Sequence, residues 1–223
     1  MSFERSHGHP GCFLVLDGPD GGGKTTQARR LVDWLRSIGR VVTTCRDPGG
    51  TGLGERLRPI VQDRSETLIG MRAEMLLFQA SRAQLVEEII APALAAGGVV
   101  VSDRYLLANI VYQGTAGGLL EEEIGLVGLV AAGGVLPDLT LILDIPVEVA
   151  RARIGPARDR IEDRPADYQA RVRAGFLAAL GQPAPCPYYP APLVRIDAGR
   201  DADLVFEAIK SEVIDVLARR QGG

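Results

Sequence analysis

Five short apolar runs punctuate the chain: CFLVLD at 12–17, VVTTC at 41–45, VVVSD at 99–103, LTLILD at 139–144 and LVRID at 193–197. Each has the length of a buried strand. Four of the five carry Val, Leu or Ile on both faces, as strands do when a parallel sheet is covered on both sides. Between the runs the period changes. Ala28, Leu31, Val32, Leu35 and Ile38 recur at three- and four-residue steps and Gly39 follows as a stop, which predicts an amphipathic helix after the first strand. Further helical segments are predicted over 66–80, 82–96, 119–132, 146–154, 166–180 and 201–219. Strands alternating with helices predict an open, doubly wound α/β sheet. The Pro-rich piece at 181–192 is short enough to be a loop within it.

A chain of 223 residues, 46% of them hydrophobic, can bury a core of its own, so one domain over 12–223 is expected, with 1–11 as a flexible tail. Lys and Arg number 25 against 28 Asp and Glu, a net charge of -3, which gives no global attraction to nucleic acid. No apolar run approaches the roughly 18 residues of a membrane span, and the N-terminus lacks the order of a signal peptide. Cys12, Cys45 and Cys186 stand far apart without metal-ligand spacing and read as buried thiols of a reducing compartment, so a cytoplasmic protein is expected. The two histidines, His7 and His9, both lie in the tail. Chemistry in the body of the protein therefore runs on Lys, Arg, Asp, Glu and backbone.

The first strand leads directly into GPDGGGKTT, comprising Gly18, Pro19, Asp20, Gly21, Gly22, Gly23, Lys24, Thr25 and Thr26. Gly18, Gly23, Lys24 and Thr25 fit G-x-x-x-x-G-K-[ST], the phosphate-binding loop, placed where that loop belongs, between a strand and a helix. Glycines let backbone N–H groups curl around an anion, and the helix N-terminus adds partial positive charge. Lys24, read as a solvent-facing loop residue, would reach the β- and γ-phosphates, and the Thr25 hydroxyl would ligate Mg²⁺. Asp103, at the end of the third strand, could hold the same ion through water. Its neighbour Arg104 would point across the crevice toward a second anion, and Arg56 and Arg58, past the Pro48-Gly49-Gly50 turn, stand at the same sheet edge. Around 150–164, Arg151, Arg153, Arg158, Arg160 and Arg164 flank a Gly155-Pro156 break, the composition of a lid that closes over a transferring phosphoryl group. A nucleotide-dependent switch would need the loop and Asp103 but not arginines facing a second anion.

DGPDGGGKTTQ, RDPGGT, FQASRAQLVEEIIAPAL, SDRY with YQG, PDLTLILD and RARI with DRIEDR together resemble bacterial thymidylate kinases over nearly the whole chain. The resemblance implies a P-loop nucleoside-monophosphate-kinase fold with a five-stranded parallel sheet, a homodimer, and Mg-dependent transfer from ATP to dTMP. It also implies roles by position. Asp20 would handle the acceptor's sugar and phosphate surroundings, Arg58 and Arg104 the acceptor phosphate, Phe78 the face of thymine and Arg82 its edge. Asn109, Tyr112 and Gln113 would complete the acceptor pocket. Glycines rather than an arginine follow Asp20, which resembles the branch whose catalytic arginine comes from the lid, with Arg153, Arg158 and Arg160 as candidates. Asp47 stands where many relatives carry Glu, a change expected to bear on magnesium or phosphate geometry, and Ala108 where serine is common. A kinase for another nucleoside monophosphate would keep the loop, Arg104 and lid but alter the pocket around Phe78, Arg82 and Asn109.

Overall fold

The apolar runs fold as β1 (Cys12–Asp17), β2 (Val42–Arg46), β3 (Val99–Asp103), β4 (Leu139–Asp144) and β5 (Leu193–Asp197) in a computed structural model that describes residues 8–64, 67–155, 159–181 and 189–221. All pairings are parallel, and the order is β2-β3-β1-β4-β5. Every residue of β1 and β4 is buried, whereas the edge strands β2 and β5 are half-exposed. The edges accordingly leave room for Thr43, Thr44 and Arg195 to meet solvent.

The helices are α1 (Lys24–Ser37), α2 (Gly52–Gln62), α3 (Met71–Leu85), α4 (Ala91–Ala95), α5 (Leu106–Asn109), α6 (Glu121–Ala132), α7 (Val147–Ile154), α8 (Ala166–Ala178) and α9 (Ala202–Gln221). Two cores result. On one face Leu14, Leu16 and Val101 pack under Leu31, Leu35 and Ile209 of α1 and α9. On the other, Phe13, Val15 and Val100 meet Leu85, Leu106, Ile124 and Phe176 from α3, α5, α6 and α8. After β1 the chain leaves toward the first face and after β3 toward the second. Adjacent strands that part in this way open a crevice at their carboxyl ends, the usual ligand position in such sheets.

The predicted strands appear within one residue. The helices differ more. The two helices expected over 66–80 and 82–96 form one rod from Met71 to Ala95, carried through by a π-helical turn at Val86–Ile90, because nothing at Ala80 to Arg82 breaks a helix. Ile38, expected on the apolar face of α1, lies just past its end and is exposed. The stretch from Leu106 to Thr115, α5 followed by a π-helical turn at Ile110–Thr115, was not predicted: Leu106 through Gly114 are all buried, so no polar face marks a period.

Residues just before β1 are tied to the domain: Gly11 N donates to Leu94 O at 2.9 Å and Arg220 donates to the carbonyls of His9 and Gly11. Cys12 and Cys45 are buried free thiols, each pushed up to about 12 by that burial, while Cys186 lies outside the described residues. Among the described residues no helix is long and apolar enough to cross a membrane.

Candidate active site

The β1–α1 loop is built by close approach of backbone. A Cβ on Gly18 would sit 2.6 Å from the Leu143 carbonyl of β4, and one on Gly21 would sit 2.6 Å from the Ala150 carbonyl of α7, with both residues at positive φ. Lys24 is buried rather than solvent-facing: Nζ donates to the carbonyls of Gly18 at 3.2 Å and Pro19 at 2.8 Å and lies 3.7 Å from Asp20 Oδ1. Burial first, then the charge of Arg104, lowers its pKa.

Thr25 Oγ1 donates to Asp103 Oδ2 at 2.6 Å, so loop and third strand place two hard oxygens side by side. Among the described residues no group of three or more His, Cys, Asp or Glu could hold a metal. A hydroxyl and one carboxylate nonetheless fit Mg²⁺, which takes few protein ligands and completes its shell with phosphate and water.

Arg104 adopts φ of 69°, a left-handed backbone uncommon outside glycine, and its guanidinium is held from four sides. It donates to Asp17 Oδ1 at 3.1 Å, Gly18 O at 2.9 Å, Tyr112 Oη at 3.1 Å and the Asp20 carboxylate. Tyr112 Oη in turn donates to Asp20 Oδ2 at 2.8 Å. Burial alone would raise Asp20, but Arg104 and Lys24 outweigh it and hold the carboxyl at about 2. Asp17, three residues away, goes the other way to about 6: its burial exceeds the help of Arg104, and its Oδ2 is buried without a hydrogen-bond partner.

Opposite the loop stands a wall from α3, α5 and the π-helical turn. Phe78 lines it, with Arg82 one turn further along the same helix face. Arg82 is 2% exposed and donates through Nε to Asp47 Oδ2 at 2.6 Å and through Nη1 to Gln79 Oε1 at 2.5 Å and Asn109 Oδ1 at 3.1 Å. Asn109 Nδ2 donates to Gln113 Oε1 at 2.6 Å. Asp47 therefore serves the wall as a buried counterion instead of turning toward a metal or phosphate; burial raises its pKa against the pull of Arg82. Arg58, between loop and wall, donates to Pro48 O at 2.7 Å.

Loop and wall enclose a cleft of about 820 Å³, within the usual range for small-molecule sites. Asp20, Gly21, Gly23, Lys24, Thr25, Thr26, Arg58, Phe78, Arg82, Asp103, Arg104, Asn109, Tyr112 and Gln113 line it. Gly18, Pro19 and Gly22 shape the loop from behind. The segment carrying Asp159, Ile161 and Glu162 also borders the cleft, but Arg153 of α7 and Arg160 turn elsewhere. Arg153 Nη1 donates to Ala198 O at 3.0 Å, beside β5. Arg160 donates to Val61 O and to Glu74 Oε2, both at 2.6 Å through Nη2. Arg158 lies outside the described residues.

Asp17 and Glu74 are the charged groups that sequence reasoning passed over. Glu74 is fully buried four residues before Phe78 and eight before Arg82, on the same row of α3.

A family model described as Thymidylate kinase matches residues 16–186, from the first strand past α8. The chain is 46% identical to a thymidylate kinase of Rhodopirellula baltica over 175 residues, covering 78% of this chain and 71% of the relative. It is 47% identical to one from Leifsonia xyli subsp. xyli over 177 residues, covering 78% and 84%, and 44% identical to one from Neisseria gonorrhoeae over 205 residues, covering 91% and 96%. Identity at that level over most of the relatives' length, together with a family model spanning both sides of the cleft, places this chain in the thymidylate kinase family.

Proposed function

We propose that the cleft transfers the γ-phosphoryl group of ATP to dTMP, giving dTDP and ADP, with the loop holding the donor and the wall holding the acceptor. The observation that carries this reading is the meeting of two cationic stations in one cavity: Lys24 within the loop, and Arg58 and Arg104 beside the Phe78–Arg82 wall. A protein that only hydrolyses or senses ATP has no use for the second station.

Backbone N–H groups of the loop and the N-terminus of α1 cradle the donor's phosphates, and Lys24 draws charge from the β- and γ-oxygens. Thr25 and Asp103 would hold Mg²⁺, which when bound neutralises donor oxygens. Arg104 and Arg58 fix the acceptor phosphate in line. Asp20, ionised at neutral pH, orients Arg104 and Tyr112. No covalent intermediate is needed and little general-base help, since the acceptor phosphate is already anionic. Phe78 stacks on the base. The Nη2 of Arg82, which carries no hydrogen bond among the described residues, donates to a base carbonyl. Arg160, tied to Val61 and Glu74, acts as an anchor of the lid segment and not as a phosphoryl contact. Leu76 of α3 and Leu126 and Val130 of α6, exposed on neighbouring helices, suit a second copy of the chain. Two buried free thiols suit a reducing, cytoplasmic setting.

The test is kcat/KM for dTMP, dUMP, dCMP, dAMP and dGMP at fixed ATP and magnesium. dTMP should lead. dUMP, lacking one methyl, should follow within about 10- to 200-fold. dCMP, presenting a donor to the Arg82 donor, should fall further, by at least about 1–3 kcal/mol. A lead for dCMP or a purine would overturn the acceptor assignment, and acceptor-independent turnover would overturn transfer itself.

A further inference from the structure

The wall does not end at the cleft. Asn109 Oδ1 accepts from Arg82, so its Nδ2 faces Gln113 and donates to Oε1 at 2.6 Å; Gln113 Nε2 then donates to Glu74 Oε1 at 2.7 Å. A guanidinium at one end and a carboxylate at the other permit one orientation of each amide, so every donor points from Arg82 toward Glu74. The four residues are at most 3% exposed, and hydrogen bonds aligned in sequence inside a protein strengthen one another. At the far end Glu74 Oε2 accepts from Nη2 of Arg160 and of Arg164, each at 2.6 Å. Arg160 further binds the last turn of α2 through Val61 O and, by its own N–H, Gln62 O at 2.9 Å. Arg164 also donates to Tyr168 Oη, which itself donates to the carbonyl of Tyr112 at 2.6 Å.

We infer that Glu74 is a positioning residue that seats the lid segment 159–164 through Arg160 and Arg164, and that Gln113 and Asn109 couple that seating to the acceptor-base pocket at Arg82. The inference rests on the reading above that Arg82 meets the acceptor base. A base that draws on the guanidinium of Arg82 alters its bond to Asn109, and the change passes along fixed donors to the carboxylate that holds the lid. Acceptor identity then enters the rate of transfer as well as the strength of binding.

Two substitutions cut the relay at different places. Glu74→Gln keeps the shape and removes the charge that both arginines share. It should lower kcat about 10- to 100-fold, the worth of a charged hydrogen bond, with KM for dTMP changed less than about threefold. Gln113→Met interrupts the middle and leaves both Glu74–arginine pairs in place. Limited tryptic cleavage within 151–164 reads the lid directly. In the unmodified protein dTMP should slow it, in Glu74→Gln it should be fast with or without dTMP, and in Gln113→Met it should be slow throughout but no longer respond to dTMP. If Glu74→Gln does not fold, Arg164→Gln replaces it, with the same kcat-against-KM split expected. Unchanged kcat in the folded Glu74 or Arg164 variant, or an undiminished dTMP response in Gln113→Met, overturns the relay. Failure of the unmodified protein to use dTMP would instead overturn the functional reading beneath it.

Discussion

The two sides of the cleft are made from different materials. The loop side is mostly backbone: carbonyls of Gly18 and Pro19 receive Lys24, and its shape follows from glycines pressed against β4 and α7. The wall side is a buried lattice in which the side chains of Asp47, Gln79, Arg82, Asn109, Gln113 and Glu74 are hydrogen-bonded in series. Backbone scaffolding lets a charged group be exchanged without stranding a partner. A side-chain lattice does not, because each buried member left alone bears its full desolvation cost. Function and stability should therefore separate on the loop side and move together on the wall.

The largest effect expected is from Lys24→Ala. A positioned arginine that stabilises the charge of a transferring phosphoryl group is worth about 10³- to 10⁵-fold, and a comparable role for Lys24 should cost at least about 10³-fold in kcat. Asp20 keeps Arg104 and Tyr112 as partners, so the thermal midpoint should move by only a few degrees. Near-normal turnover would remove the loop assignment; unfolding would break the contrast between the two sides.

Arg82→Ala comes next. It leaves Asp47 buried with its Oδ1 already unpartnered, and breaking a buried pair costs about 3–5 kcal/mol. Urea unfolding should register that loss together with loss of base selectivity. In Arg82→Met combined with Asp47→Asn, stability should recover in part while selectivity stays lost. Arg82→Ala with unchanged unfolding would mean that the wall is no more interdependent than the loop.

The same division governs what the sequence discloses. A loop whose parts are contiguous, between a recognisable strand and helix, is legible residue by residue, and Gly18 to Thr26 lie where the pattern puts them. Phe78 and Arg82 are legible through the family resemblance, and α3 places them one turn apart. The partners Asp47 and Asn109 of Arg82 are not, since they come from different elements and Asn109 sits in a segment with no polar face to mark it as helix. Lys24 is buried where its position in the loop suggests solvent, because spacing identifies a residue's role in a motif but not whether neighbouring carbonyls enclose it. The arginines of 150–164 are indistinguishable by composition, and only tertiary contacts separate Arg160 at Glu74 from Arg153 at Ala198.

The smallest effect predicted tests the loop side where it most resembles the wall, at Asp17. Its carboxyl is fully buried and raised to about 6 from an ordinary value of 3.8, so between about pH 4 and 6 the folded protein keeps a proton that the unfolded chain has released. The folded state binds more protons in that window. Stability contributed by this group therefore falls as pH rises through it and is level above. Asp20, lowered to about 2, has the opposite sign: its contribution is complete above the unfolded value and is lost as pH falls toward 2. Asp17→Asn removes the first dependence and leaves the second. Relative to the parent it should gain roughly 1–3 kcal/mol at pH 8, the equivalent of one to two pKa units, and the gain should vanish by pH 4. Urea midpoints for both proteins at four or five pH values measure the difference directly, with all other titrating groups held in common. A gain at pH 8 that persists at pH 4 would assign it to packing instead of charge. A loss at pH 8 would mean that Arg104 depends on Asp17 as strictly as Arg82 depends on Asp47, making the loop side a side-chain lattice as well.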